Sequence, residues 1–144
     1  ALTQMLTDSG LRTTAKVWDP GPAWNKFFQG EGKATNGYYG SWGYYSVFDS
    51  DAILHPLYHT EPGGWIGKWY ARVEGLDPMI DQARSILDQP RRRQIYSQIQ
   101  KLIQEEAPSI FLFHQYDTLG VSKTVEYAAR GDEWLWLYDA KPKR

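Results

Sequence analysis

The side chains best suited to chemistry gather in one stretch, Gly40-Ser41-Trp42-Gly43-Tyr44-Tyr45-Ser46-Val47-Phe48, followed by Asp49 and Asp51. Trp42, Tyr44, Tyr45 and Phe48 place four large rings within seven residues. Exposed rings stack on sugars or cover apolar parts of a peptide, and Trp and Tyr also donate hydrogen bonds. The residues alone weigh this evenly against a loop folded back onto its own core. Asp49 and Asp51 are spaced as a carboxylate pair, the raw material of general acid and base catalysis. Two residues of separation rarely gives the face-to-face geometry of roughly 5–9.5 Å that glycoside chemistry needs. A cap or turn role is the better reading for both.

Histidines offer a second kind of chemistry. His55 and His59 lie four apart and Glu61 follows, a spacing that can put metal ligands on one helix face. Pro56 and Pro62-Gly63-Gly64 interrupt that geometry, so packing or surface roles are favoured. His114, with Gln115 and Tyr116, follows an apolar run and reaches toward a cleft or simply toward solvent. Arg91-Arg92-Arg93 reads as a solvated helix face, since nucleic-acid binding needs more basic clusters with aromatic residues between them. Glu105-Glu106 reads as a solvated pair at a helix end. No nucleophile elbow, phosphate loop or metalloprotease motif is present. The expectation is therefore a binding protein and not an enzyme, with no metal and no cofactor.

Hydrophobic periodicity supplies the elements that must position these residues. Residues 1–9 read as a short helix, closed by Gly10 in a left-handed conformation. Residues 11–18 and 36–42 read as strands, and the second runs into the aromatic loop. Asp19-Pro20-Gly21-Pro22 breaks the chain and caps a helix over 23–29. Asp49 or Ser50 caps a short helical turn over 51–57, and 60–67 is a Gly/Pro loop. Asp77-Pro78 opens a helix with Leu76, Ile80, Ala83 and Leu87 on one face. Asp88-Gln89-Pro90 starts the next, which buries Ile95, Ile99, Leu102 and Ile103 and stops before Pro108. Residues 110–113 read as a buried strand, 119–121, 125–129 and 134–138 as short strands, and 141–144 as a solvated tail. Helices alternating with strands predict an α/β layer architecture.

Composition narrows the function classes. The chain has 144 residues, the size of one domain. Its net charge of −1 gives no pull toward nucleic acid or an anionic membrane. Without cysteine it holds no disulfide or thiolate metal site. Aromatic residues make up 15% of the chain, and most are assigned to the core. No apolar stretch is long enough to span a bilayer. The chain begins inside a helical pattern without a leader, and is read as part of a longer exported protein.

Three stretches together resemble the family 5 extracellular solute-binding proteins, the periplasmic oligopeptide, dipeptide and nickel type. They are Met5-Leu6-Thr7-Asp8-Ser9-Gly10-Leu11-Arg12; Gly40-Ser41-Trp42-Gly43 with Asp49-Ser50-Asp51; and residues 77–83 followed by Asp88, Arg91 to Arg93, Tyr96, Ile99, Gln100 and Glu105-Glu106-Ala107-Pro108. The resemblance implies that residues 1–144 form the C-terminal lobe of a two-lobed protein, periplasmic-binding-protein-like (type II), with a mixed sheet flanked by helices. It further implies the substrate-binding component of an ABC importer, working in the periplasm or another extracytoplasmic space. Its partners would be a peptide or other small solute and the importer's membrane subunits. Membrane contact would come only through the importer or a lipid anchor outside this chain.

Trp42, Tyr44, Tyr45, Phe48 and Asp49 would line the cleft, with His114 and Tyr116 adding contacts. One departure is informative. In peptide-binding members an aspartate shortly after the tryptophan pairs with the ligand's amino terminus. Tyr45 stands there in this chain, and its hydroxyl offers a buried ammonium only a weak dipole. An oligosaccharide, an opine-like compound or another weakly charged solute fits better. A free-standing carbohydrate-binding module and, behind it, a glycoside-processing enzyme are the alternatives.

Overall fold

The computed structural model describes residues 1–31, 37–43, 48–61 and 64–143. Its contacts divide the chain into two compact units, residues 1–34 and 35–144. The first holds α1 (Leu2–Asp8) and α2 (Pro20–Phe28). α1 ends as its sequence predicts. Gly10 has φ of 94°, its N–H donates to Thr7 O, and Leu11 N–H reaches back to Leu6 O, satisfying carbonyls that the helix leaves open. α2 buries Ala23 and Phe27, and its Trp24 and Phe28 rings stack with centroids 5.2 Å apart.

The second unit carries α3 (Asp51–Tyr58), a π-helical turn (Ile66–Tyr70), α4 (Leu76–Ser85) and α5 (Gln89–Glu106). Their apolar faces meet in one core: Leu54 and Tyr58 of α3, Leu76, Ile80 and Ala83 of α4, and Ile95, Tyr96, Ile99 and Ile103 of α5, with Val73 from the preceding turn. Leu76, Ile80 and Ile99 are fully buried. Each such side chain contributes about 1.5–3 kcal/mol over leaving it in water. Asp88 caps α5, its carboxylate accepting from Arg91 N–H at 2.8 Å. Ala107 ends it at φ of 47°, just before Pro108.

α4 departs from its predicted ends. It starts after Gly75 (φ 77°), and Asp77 accepts from Thr60 N–H at 3.1 Å and from the Thr60 hydroxyl instead of capping the helix. It stops at Ser85, so Leu87 falls beyond the buried stripe and is 93% exposed.

The α/β lobe with a mixed sheet is contradicted. Helix takes 46% of the described residues and the sheet has two strands, so the type II periplasmic-binding lobe is not the architecture of this chain. Those strands are β1 (Val125–Glu126) and β2 (Lys141–Pro142), antiparallel with Val125 opposite Pro142. The predicted strands over 11–18, 110–113 and 119–121, and the described part of 36–42, are outside helix and sheet. The 125–129 strand shrinks to β1, the 134–138 strand becomes a 3-10 turn (Leu137–Asp139), and the solvated tail supplies β2. The physical reason is that strand propensity is a preference for a paired, half-buried surface, and these segments find no neighbouring strand among the described residues. Most aromatic rings also miss the core. Among the described residues only Phe27, Tyr58 and Tyr96 are buried, while Phe48, Phe111, Phe113, Tyr116 and Tyr138 are each more than 60% exposed. No described helix is long and apolar enough to cross a membrane.

Candidate functional site

The aromatic loop is fixed through a proline. Pro56 lies inside α3 and has no N–H to give the carbonyl four residues earlier, that of Ala52. The indole N–H of Trp42 takes its place, donating to Ala52 O at 3.0 Å. Trp42 also packs edge-on against Trp65 with ring centroids 4.5 Å apart. Trp65 in turn donates its N–H to Pro56 O at 3.1 Å. Trp42 is thus a half-buried anchor that ties the start of the loop to α3. Tyr44 and Tyr45 lie outside the described residues.

The loop returns at Phe48, whose φ of 47° is rare for a residue with a side chain. This turn brings Asp49 to α5. Arg92 clamps the Asp49 carboxylate with both terminal nitrogens, Nη2 donating to Oδ1 at 2.9 Å and Nη1 to Oδ2 at 2.5 Å. Nη2 also donates to the Tyr96 hydroxyl at 2.7 Å, and Nε donates to Ala83 O at 3.0 Å. Ala83 O is one of the carbonyls left open at the end of α4, where a cation is favoured. Asp49 Oδ1 additionally accepts from Asp51 N–H at 2.8 Å, serving the first turn of α3. A planar fork against a carboxylate is the strongest common geometry for such a pair.

These partners set the charges. The Arg92 hydrogen bond holds the Asp49 carboxyl below its ordinary range, and the same bond raises Arg92. Burial pushes the Tyr96 hydroxyl up to about 12. Asp51 faces Arg84 at 3.3 Å. Both acids of the carboxylate pair are therefore matched to arginines.

Beside this trio lies a shallow groove of about 300 Å³, lined by Phe48, Asp49, Gln89, Arg93, Ser97 and Gln100, with Arg92 and Tyr96 beneath. Phe48 is 64% exposed at its edge. Arg93, Ser97 and Gln100 stand on the exposed side of α5. With Asp49 neutralised by Arg92, the Arg93 guanidinium leaves the groove with a positive balance. It suits an acceptor-rich group next to an apolar or ring surface.

Of the nominated residues, Phe48 and Asp49 meet at this groove and Trp42 supports the loop leading to it. His114 and Tyr116 stand on the segment after α5 that belongs to no helix or strand, both exposed, with Tyr116 at 94%. Arg92 and Tyr96 were missed as site residues because the arginine run read as a solvated face. The available signal was spacing: positions 92, 96, 99 and 103 step by four, three and four along one helix stripe, so Arg92 heads a buried row.

His55 and His59 form a separate contact, with ring centroids 5.0 Å apart. His59 is 6% exposed, and its Nδ1 accepts from Glu61 N–H at 2.8 Å, which leaves the ring proton on Nε2, 3.4 Å from Asp81. Desolvation lowers the His55 pKa, helped by Arg84 and His59. No group of three His, Asp or Glu among the described residues is arranged to hold a metal ion. The chain matches no protein-family model, no curated protein and no solved structure.

Proposed function

We propose that the chain is a solute-binding part of the substrate-binding component of an ABC importer, taking a small acceptor-rich solute at the Phe48–Arg93 groove. One observation carries this reading. Residues from two separate stretches of the family resemblance, Asp49 in one and Arg92 and Tyr96 in the other, join in a single hydrogen-bonded trio. That trio forms the floor of a groove with an aromatic edge and donors along its side. The reading rests on the groove and the resemblance and requires no two-lobed mixed-sheet architecture. In this reading the chain works outside the cytoplasm and hands its solute to the importer's membrane subunits.

The glycoside-processing alternative loses ground. An acid whose pKa is lowered by an arginine is a poor proton donor near neutral pH, and Asp49 is such an acid. Intrinsic tryptophan fluorescence of the whole chain, titrated with opine-like dicarboxylates, oligosaccharides and short peptides, tests the proposal. A saturable change with an acceptor-rich solute is expected, weakened at least about tenfold by Arg93→Ala or Phe48→Ala, with circular dichroism unchanged. No response to any panel, or binding indifferent to both substitutions, would sink it.

A further inference from the structure

The chain leaves the core at Ser109. Ser109 lies beside the hydroxyl of Tyr58, a residue 3% exposed. Immediately afterwards the burial pattern reverses. Ile110, Phe111, Leu112 and Phe113 are 80%, 70%, 47% and 71% exposed. Residues 110–121 belong to no helix or strand, and among the described residues none of their backbone groups has a backbone hydrogen-bond partner. A run of backbone groups without partners is a template for strand pairing. Along a strand, Ile110 and Leu112 share one face and Phe111 and Phe113 the other, so both faces are apolar, the pattern of a strand meant to be covered.

The area is large. At about 150–250 Å² per aromatic ring, Phe111, Phe113 and Tyr116 together hold roughly 500 Å² of bare surface. Ile110 and Leu112 bring the bare area of the segment to roughly 700 Å², divided between its two faces.

We propose that residues 110–113 pair antiparallel with the same residues of a second copy across a two-fold axis. Set antiparallel about the two-fold axis with Leu112 opposite its own copy, Phe111 faces Phe113 of the second copy, so the apolar run is its own complement. Such a contact is self-complementary and closes on itself. Residues 107–113 carry no charge, so the pairing puts no like charges opposite one another. The run equally offers no charge with which to select a partner of different sequence. These observations are independent of the groove, whose lining residues come from other elements.

Sedimentation velocity of the whole chain over a wide concentration range, paired with amide hydrogen exchange, tests the proposal. A reversible monomer–dimer equilibrium is expected, with amides 111–113 becoming protected as concentration rises. Replacing both phenylalanines, Phe111→Lys with Phe113→Lys, should weaken the dimer at least about tenfold while leaving helical circular dichroism intact. Leu112→Pro, which removes a ladder donor without adding charge, should do the same. A monomer at every concentration would overturn the proposal. So would a dimer whose 110–113 amides exchange at one rate throughout, or open-ended growth into larger species.

Discussion

At Arg92 one guanidinium joins α5 to the end of α4 and to the residue that opens α3. Arg92→Lys keeps the charge but loses the fork. It is expected to destabilise the chain by about 1–3 kcal/mol in urea unfolding, less than a fully buried pair because Asp49 is 30% exposed. The titration of the trio gives a second test. Asp49 is lowered from 3.8, so its contribution is present above that pH and is lost as pH falls through the lowered native value. Tyr96 is raised from 10.0 to about 12, so its contribution is complete below pH 10 and is lost as pH rises toward 12. Stability measured against pH should therefore fall at both ends, and Tyr96→Phe should reduce the alkaline limb more than the acid limb, where its hydroxyl is the last of the contacts that lower Asp49. Phe48 and Asp49 were legible in the sequence because a ring-rich loop ending in an acid is unusual. Arg92 was not, because three arginines in a row look alike until one of them is seen to head the buried stripe.

At the scale of elements, a missing hydrogen bond and a missing side chain organise the region beside the site. Pro56 frees the Ala52 carbonyl for Trp42, so Trp42→Phe should cost about 1–3 kcal/mol by leaving that carbonyl unpaired, read as a lower thermal midpoint. The π-helical turn packs its backbone on the end of α3 so closely that a methyl group on Gly67 would lie 2.0 Å from Tyr58 O. The atoms it would meet, Tyr58 O and C and His59 C, are all backbone, so Gly67→Ala should cost at least about 2 kcal/mol in the same measurement. The helices were legible because an amphipathic stripe and its caps are local signals; Gly10 and Asp88 act where the residues predicted. The strands were not, because a strand depends on a neighbour that local sequence does not specify. The run over 110–113 has the composition of a central strand and the exposure of an unpaired one.

At the scale of the molecule, the helical core of α3, α4 and α5 holds the groove, while the segment after α5 stays outside that core. The groove and the 110–116 segment thus offer two separate surfaces, one polar with an aromatic edge and one apolar. His114 and Tyr116, nominated as ligand contacts, stand on the second. Amide chemical-shift mapping during titration with the solute that tryptophan fluorescence selects separates the two surfaces. Saturable shifts should appear at residues 48–50 and at Gln89, Arg93, Ser97 and Gln100, with little change at 114–116. Saturable shifts centred on 114–116, with the α5 face silent, would contradict the assignment of the groove as the solute site.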